Sequence, residues 1–116
     1  MPDEYSISAE VRFIDLEQVL RDLRRAASEA KRTRPEIVKV YLFGSLVKGN
    51  WTADSDADLM VVVRREFQDI LERSPYQIHT TAIPTDTLVY SEAEFERLSC
   101  DPESLVAQNR AVAMEL

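Results

Sequence analysis

Residues 44–59, which read GSLVKGNWTADSDADL, determine how the rest of the chain is interpreted. The run VKVYLF precedes them at 38–43, and the run LMVVV follows from residue 59 to residue 63. Short apolar runs rich in β-branched and aromatic residues, bounded by Gly or Asp, are typical of buried strands. A glycine–serine corner and an acidic pair therefore lie at the ends of two predicted strands, where open α/β sheets bind their ligands.

The acidic pair consists of Asp56 and Asp58, which are separated by one residue. On an extended backbone, side chains two positions apart point to the same face. Two carboxylates held this close repel each other unless one is protonated or a cation lies between them. Such oxygen ligands suit Mg²⁺ or Mn²⁺, and Mg²⁺ commonly binds substrate phosphates as well. The spacing therefore predicts a divalent-cation site, although an isolated acidic loop is more often a solvated turn.

The glycine–serine corner has features expected of a phosphate-binding turn. Gly44 lets the backbone approach a ligand closely, and Ser45 offers a hydroxyl and an amide at the start of a short helical turn. Lys48 adds a compact positive charge. The two glycines of the chain, Gly44 and Gly49, both lie in this stretch, which indicates that backbone freedom is needed here.

Gly44-Ser45, Lys48-Gly49 and the run Ser55-Asp56-Ala57-Asp58-Leu59 together resemble the signature of the DNA polymerase beta-like nucleotidyltransferase superfamily. The resemblance implies an α/β (α+β) fold in which a small mixed β-sheet is flanked by helices, as in the palm of that superfamily. The length of the chain is similar to that of the minimal nucleotidyltransferase (MNT) branch, whose members often form half of a two-gene toxin–antitoxin pair. Many superfamily members carry Arg at the position of Lys48 and often a second basic residue in the same turn. Leu46 and Val47 leave the turn less basic here.

The resemblance also implies a third carboxylate on a later strand. Asp86 fits this role, because it lies in the β-type run TDTLVY at 85–90; a plain Asp beside a proline turn is the competing interpretation. Asp56, Asp58 and Asp86 are then the expected catalytic and metal-binding residues, with Mg²⁺ or Mn²⁺ as cofactor and a nucleoside triphosphate, ATP by expectation, as substrate. Four further residues are expected to contact the nucleotide: Gly44, Ser45, Lys48 and Ser55.

The activity that the resemblance implies is transfer of a nucleoside monophosphate group from the triphosphate to a hydroxyl of a protein or other acceptor. A helical, toxin-like protein or a second copy of this chain is the expected partner. The alternative function is a binding module that keeps the fold and acts through its partner with little catalysis. The presence of Ser45 and of all three aspartates favours the enzyme.

Composition sets wider limits on the function. With 116 residues the chain is expected to form one domain, 1–116, and its 45% apolar and 30% charged residues are typical of a globular protein. The net charge of −7 argues against a broad nucleic-acid-binding surface. One cysteine excludes an internal disulfide, and neither a membrane-spanning run nor a signal peptide is expected, so the cytoplasm is the expected location.

The flanking sequence predicts the remaining elements. Alternating apolar residues over 5–13 predict a strand, with an early helical turn as the alternative. Asp15 is the predicted cap of a helix from Leu16 to about Thr33. The other predictions, in chain order, are a buried strand over 57–63, a helix over 64–74 with Phe67, Ile70 and Leu71 inward, a β-prone stretch over 76–83, a helix opened by a capping box at 91–94, and a last helix capped by Asp101 with Pro102 at its first position.

For three further residues, Trp51, His79 and Cys100, structural roles are favoured over functional ones. Trp51 is expected to anchor its loop or contact a partner rather than stack on a base. His79 has no cysteine or histidine neighbours at metal-ligand spacing, so a structural or surface role is expected. Cys100 is expected to be a buried or half-buried residue at a helix junction rather than a nucleophile.

Overall fold

The structure is a computed structural model that describes residues 15–52 and 54–116. The strand predicted over 5–13 lies outside the described residues. The elements are α1 (Leu16–Thr33), β1 (Ile37–Phe43), α2 (Ser45–Lys48), β2 (Ala57–Val63), a 3₁₀ helix (Ile70–Tyr76), β3 (Thr85–Ser91), α3 (Glu92–Ser99), α4 (Leu105–Arg110) and β4 (Met114–Glu115). No helix in the described residues is long and apolar enough to cross a membrane.

The four strands form one mixed sheet in the order β3-β2-β1-β4. Strand β1 pairs antiparallel with β2 and with β4, whereas β2 pairs parallel with β3. The parallel pair requires a crossover connection, and residues 64–84, which contain the 3₁₀ helix, provide it. The predicted class, a small mixed sheet flanked by helices, is therefore confirmed.

The alternation of β2 separates the core into two layers. Leu59, Val61 and Val63 pack on one side, in the cluster that contains residues of α1, such as Leu23. The even-numbered residues of β2 pack on the other side with residues of α3 and α4. Asp58 belongs to this second face by the same alternation, so the sequence of β2 places a carboxylate on the face covered by α3 and α4.

The predicted helix over 64–74 was wrong. The chain instead forms a 3₁₀ helix that begins after Asp69, because the Glu72 carboxylate accepts hydrogen bonds from the N–H groups of Gln68 and Asp69. These contacts form a capping box, which sets the helix start at residue 70. Ile70 and Leu71, expected to face inward, are 79% and 73% exposed.

The end of the chain also differs from the prediction. Ser104, rather than Asp101, caps the last helix, since its hydroxyl accepts from the N–H of Ala107 while the Asp101 carboxylate accepts from Glu103 in a preceding turn. The helix ends at Arg110, and Met114–Glu115 then pairs with β1 as a short edge strand. The β-prone stretch over 76–83 contains no strand, although Ile78 and Ile83 are buried.

Several local predictions were correct. Asp15 caps α1 by accepting from the N–H of Gln18, and Ser91 and Glu94 form the capping box of α3. Trp51 is partly buried against the first core layer, as expected of a loop anchor. The prediction for Cys100 was wrong: it is exposed directly after the end of α3 and is neither buried nor half-buried.

An ion pair between Arg73 and Glu94 fastens the 3₁₀ helix to β3 and α3. The Arg73 guanidinium donates to both Glu94 carboxylate oxygens, at 2.9 and 2.8 Å, and to the carbonyl oxygen of Val89 at 2.6 Å. Because the Arg73 guanidinium and the N–H of Ser91 both donate hydrogen bonds to the Glu94 carboxylate, the pKa of Glu94 falls to about 2. Bidentate pairs of this kind are stronger than ordinary surface ion pairs.

Glu94→Gln is expected to lower the free energy of unfolding by about 1–2 kcal/mol at about pH 7, after allowance for solvent screening. The folded-state pKa lies below the unfolded value, so this stabilisation is present above about pH 4.5 and is lost as the pH falls toward 2. Urea unfolding at several pH values measures it. The control is Glu92→Gln, which removes the more exposed pair with Arg64 and should change stability by less than about 0.5 kcal/mol. Equal effects of the two variants would contradict the prediction.

Candidate functional site

The parallel pairing of β2 with β3 places two of the predicted acidic residues side by side. Asp58 is the register partner of Asp86, so the two residues are direct neighbours on adjacent strands. Asp56 directly precedes β2 and has the same parity as Asp58. Asp58 is half-buried, whereas Asp56 and Asp86 are exposed. The sheet thus brings three acidic residues to the N-terminal end of β2.

The electrostatics of Asp58 reflect this arrangement. Its pKa is raised, first by burial, then by the negative charge of Asp86, and then by that of Asp56. A carboxylate between two others is destabilised in its ionised form unless positive charge is supplied. In the cluster formed by Asp56, Asp58 and Asp86, two negative charges therefore act on the Asp58 carboxylate, as the cation-site hypothesis requires.

Gly44 lies against this cluster for a steric reason that the sequence alone did not reveal. It follows β1, whose last residue, Phe43, is the register partner of Asp58. A Cβ added at Gly44 would overlap Oδ2 of Asp58 and lie 3.1 Å from its Cγ. The residue also has φ +83° and ψ −151°, a conformation reached essentially by glycine alone. Glycine therefore leaves the space that the Asp58 carboxylate occupies.

The other predicted nucleotide contacts lie in the turn after Gly44 and in the loop before Asp56. Ser45 and Lys48 are the first and last residues of α2, whose N–H groups at 47 and 48 donate to the Gly44 carbonyl. Ser55 has a local partner: its hydroxyl oxygen accepts from the N–H of Thr52 at 2.8 Å, and its own N–H donates to the Thr52 carbonyl at 3.0 Å. Ser55 therefore closes the loop that leads to Asp56.

The donor set fits a hard divalent cation in chemistry and charge. The three side chains supply carboxylate oxygens, and the negative charges of Asp86 and Asp56 add to burial in raising the pKa of Asp58. Within 15–52 and 54–116, however, no three acidic, histidine or cysteine side chains are grouped closely enough to hold a metal ion together. Mg²⁺ is usually held by one or two carboxylates together with substrate phosphates, so a site with fewer than three grouped carboxylates is compatible with that ion.

Two threonines near the cluster were not singled out by the sequence. Thr85 and Thr87 flank Asp86, and both hydroxyls are hydrogen-bonded to the backbone of Ile78. The alternation Thr-Asp-Thr at 85–87 was the available signal, because residues flanking a strand carboxylate share the opposite face. Their partner, seven to nine residues earlier, could not be identified without the fold.

Comparisons with known proteins identify the family. A search of curated proteins found no match. A crystal structure of a provisionally named nucleotidyltransferase from Sulfolobus solfataricus is similar in fold, with a TM-score of 0.58, 23% sequence identity, and coverage of 71% of this chain and 75% of that one. The family model of the nucleotidyltransferase domain matches residues 20–113, which include the glycine–serine corner and all three aspartates. The resemblance seen in the sequence is thus confirmed at the level of the superfamily, and the chain belongs to the nucleotidyltransferase domain family.

Proposed function

We propose that this protein is a metal-dependent nucleotidyltransferase that moves a nucleoside monophosphate group from a nucleoside triphosphate, ATP by expectation, to a hydroxyl of a protein or other acceptor. The observation that carries the proposal is the alignment of Asp58 with Asp86 across the parallel pair, with Gly44 leaving room for the Asp58 carboxylate. The two carboxylates come from strands 28 residues apart, so their alignment is a property of the fold and not of a local acidic turn.

Each group in the cluster has a role in this reaction. Asp56, Asp58 and Asp86 would hold Mg²⁺ or Mn²⁺, which when bound neutralises charge on the triphosphate and on the entering and leaving oxygens. Asp86, the exposed member on β3, would accept the proton of the acceptor hydroxyl. The oxygen of the acceptor hydroxyl forms a bond to the α-phosphorus of the triphosphate. The bond between that phosphorus and the pyrophosphate oxygen breaks at the same time, and pyrophosphate leaves.

The remaining proposed contacts concern binding of the triphosphate. The backbone amides of Gly44 and Ser45 and the ammonium group of Lys48 would hold the phosphate tail. Ser55 would contribute by keeping the Thr52–Ser55 loop closed ahead of Asp56. The less basic turn favours a partner that supplies part of the binding energy, and a helical, toxin-like protein or a second copy of this chain would serve. We place this activity in the cytoplasm and in the MNT branch.

A binding module remains the second candidate function. Two observations on the described residues favour it: no three acidic, histidine or cysteine side chains are grouped to hold a metal ion, and Ile70 and Leu71 are exposed, where a partner would contact them. In that case the protein would bind its partner equally well whether or not the three aspartates are intact.

One assay separates the two functions. The protein is incubated with Mg²⁺ or Mn²⁺, each labelled nucleoside triphosphate and the product of the neighbouring gene. Label transfer is expected, and Asp56→Asn, Asp58→Asn and Asp86→Asn should each lower its rate by about 10²-fold or more, the scale of losing one charge-stabilising group. Chelation of the metal should abolish transfer. The control is Glu96→Gln, which neutralises an exposed carboxylate of α3. Complex formation without transfer, unaffected by the aspartate variants, would support the binding module instead.

A further inference from the structure

Thr85 and Thr87 flank Asp86, the proposed third carboxylate, and both are hydrogen-bonded to Ile78. The Thr85 hydroxyl donates to the Ile78 carbonyl oxygen at 2.6 Å, and the Ile78 N–H donates to Thr87 Oγ1 at 3.2 Å. The Thr87 hydroxyl also lies 3.4 Å from the Ile78 carbonyl oxygen. Ile78 is 3% exposed and belongs to the first core layer. Both backbone polar groups of one buried residue are thus held by the two side chains on either side of Asp86.

These contacts matter because β3 is a terminal strand of the sheet. Among the described residues β2 pairs with one edge of β3, and no strand pairs with the other. Residues 77–80 have no regular structure, and Ile78 is joined to this part of β3 by the threonine side chains, which point to the face covered by the first core layer. Strand ends that are paired along one edge only open more easily than fully paired ones, and the threonine contacts lie at the end of β3 that carries Asp86.

The direction of the side chains explains how the contacts act on Asp86. Residues alternate between the faces of a strand, so Thr85 and Thr87 point away from the face that carries Asp86. When both hydroxyls are bonded to Ile78, the backbone on each side of Asp86 is fixed to the first core layer. The Asp86 carboxylate is then held on the second face, beside Asp58.

We propose that Thr85 and Thr87 are positioning residues that hold Asp86 in register with Asp58 for catalysis. This inference rests on the proposed function, because it assigns a purpose to the hydrogen bonds only if Asp86 takes part in transfer. The threonines themselves contact Ile78, and neither needs to touch the nucleotide or the acceptor.

The test replaces each hydroxyl by a methyl group of the same shape. Thr85→Val and Thr87→Val are expected to lower kcat for transfer by about 10–100-fold while KM for the triphosphate changes less than about twofold, since small displacements of a catalytic group affect mainly the chemical step. Thr85→Ser and Thr87→Ser keep the hydroxyl and should restore most of the loss. The matched control is Thr33→Val, which removes a hydroxyl that donates to the Glu29 carbonyl at the end of α1.

Amide hydrogen exchange gives a second readout that does not depend on activity. The valine variants should exchange faster at residues 85–87, and the serine variants should not. Should Thr87→Val fail to fold, Thr85→Val decides the question, because Ile78 N–H still has Thr87 as its acceptor. An active wild type whose valine variants keep both kcat and exchange rates overturns this inference alone. An inactive wild type refutes the proposed function and with it the catalytic purpose of the threonines, even if exchange accelerates.

Discussion

Asp58→Asn is expected to inactivate the protein and at the same time to stabilise it when divalent cations are absent. Burial and the charges of Asp86 and Asp56 raise the pKa of the Asp58 carboxyl. The folded state therefore disfavours the ionised form, and stability falls as the pH rises above the ordinary pKa of aspartate. Asparagine has the same shape and no charge, so the free energy of unfolding near pH 7 should rise by about 0.5–1 kcal/mol, after discounting for solvent screening.

A divalent cation is expected to reverse the order of stability of the wild type and the Asp58→Asn variant. Millimolar Mg²⁺ or Mn²⁺ should raise the melting temperature of the wild type, because a ligand that binds only the folded state stabilises it by mass action. The same ions should have little effect on Asp58→Asn, and the transfer rate of this variant should be lower by about 10²-fold or more. Thermal melts with and without each cation measure the effect, and Glu96→Gln is again the control. A variant that is less stable than the wild type without metal, yet still stabilised by Mg²⁺, would contradict this account of the cluster.

Gly44→Ala is expected to be the most damaging single-methyl change in the chain. The new Cβ would overlap the Asp58 carboxylate, and alanine would have to adopt a backbone conformation that is strained for any residue with a side chain. Strain and overlap each cost about 1–3 kcal/mol, so a loss of about 2–6 kcal/mol in the free energy of unfolding is expected. If the fold survives, Asp58 must move and transfer should be lost with it.

Gly49→Ala is the matched control for this prediction. Gly49 also has positive φ, +86°, but a Cβ there would have no heavy atom within 4 Å. The remaining cost is the backbone strain of alanine at positive φ, about 1–2 kcal/mol of the free energy of unfolding, and transfer should continue. Urea unfolding and the transfer assay on both variants separate the two causes. Similar losses of stability in the two variants would mean that backbone strain, rather than contact with Asp58, is the reason why residue 44 is glycine.

The local signals of the sequence were sufficient for the elements that surround the motif. Strand β2 was predicted at 57–63, where it occurs, and β1 begins one residue before its predicted start. Helix α1 begins at a capping aspartate and ends ahead of Pro35. Apolar period, caps and prolines act over a few residues, so they can be read without the fold.

The failures had a common cause in competing side-chain contacts. The helix over 64–74 was displaced by the carboxylate of Glu72, which takes the N–H groups that a longer helix would use. The cap of the last helix moved from Asp101 to Ser104 because the aspartate is used in a turn of its own. Both positions satisfy the same general rules, and the choice between them depends on packing that short-range patterns do not contain.

The sequence by itself determined which chemical groups this protein has at its disposal: an acidic pair on a strand, a glycine–serine corner and a lone aspartate in a later β-type run. Only the tertiary structure decided that Asp86 is aligned with Asp58, because the pairing register of a crossover connection is set by the packing of both sheet faces. It also decided why residue 44 must be glycine, since the atom that excludes a side chain there belongs to a residue fourteen positions away. Contacts between distant parts of a chain arise from the shared core, and no local pattern encodes them.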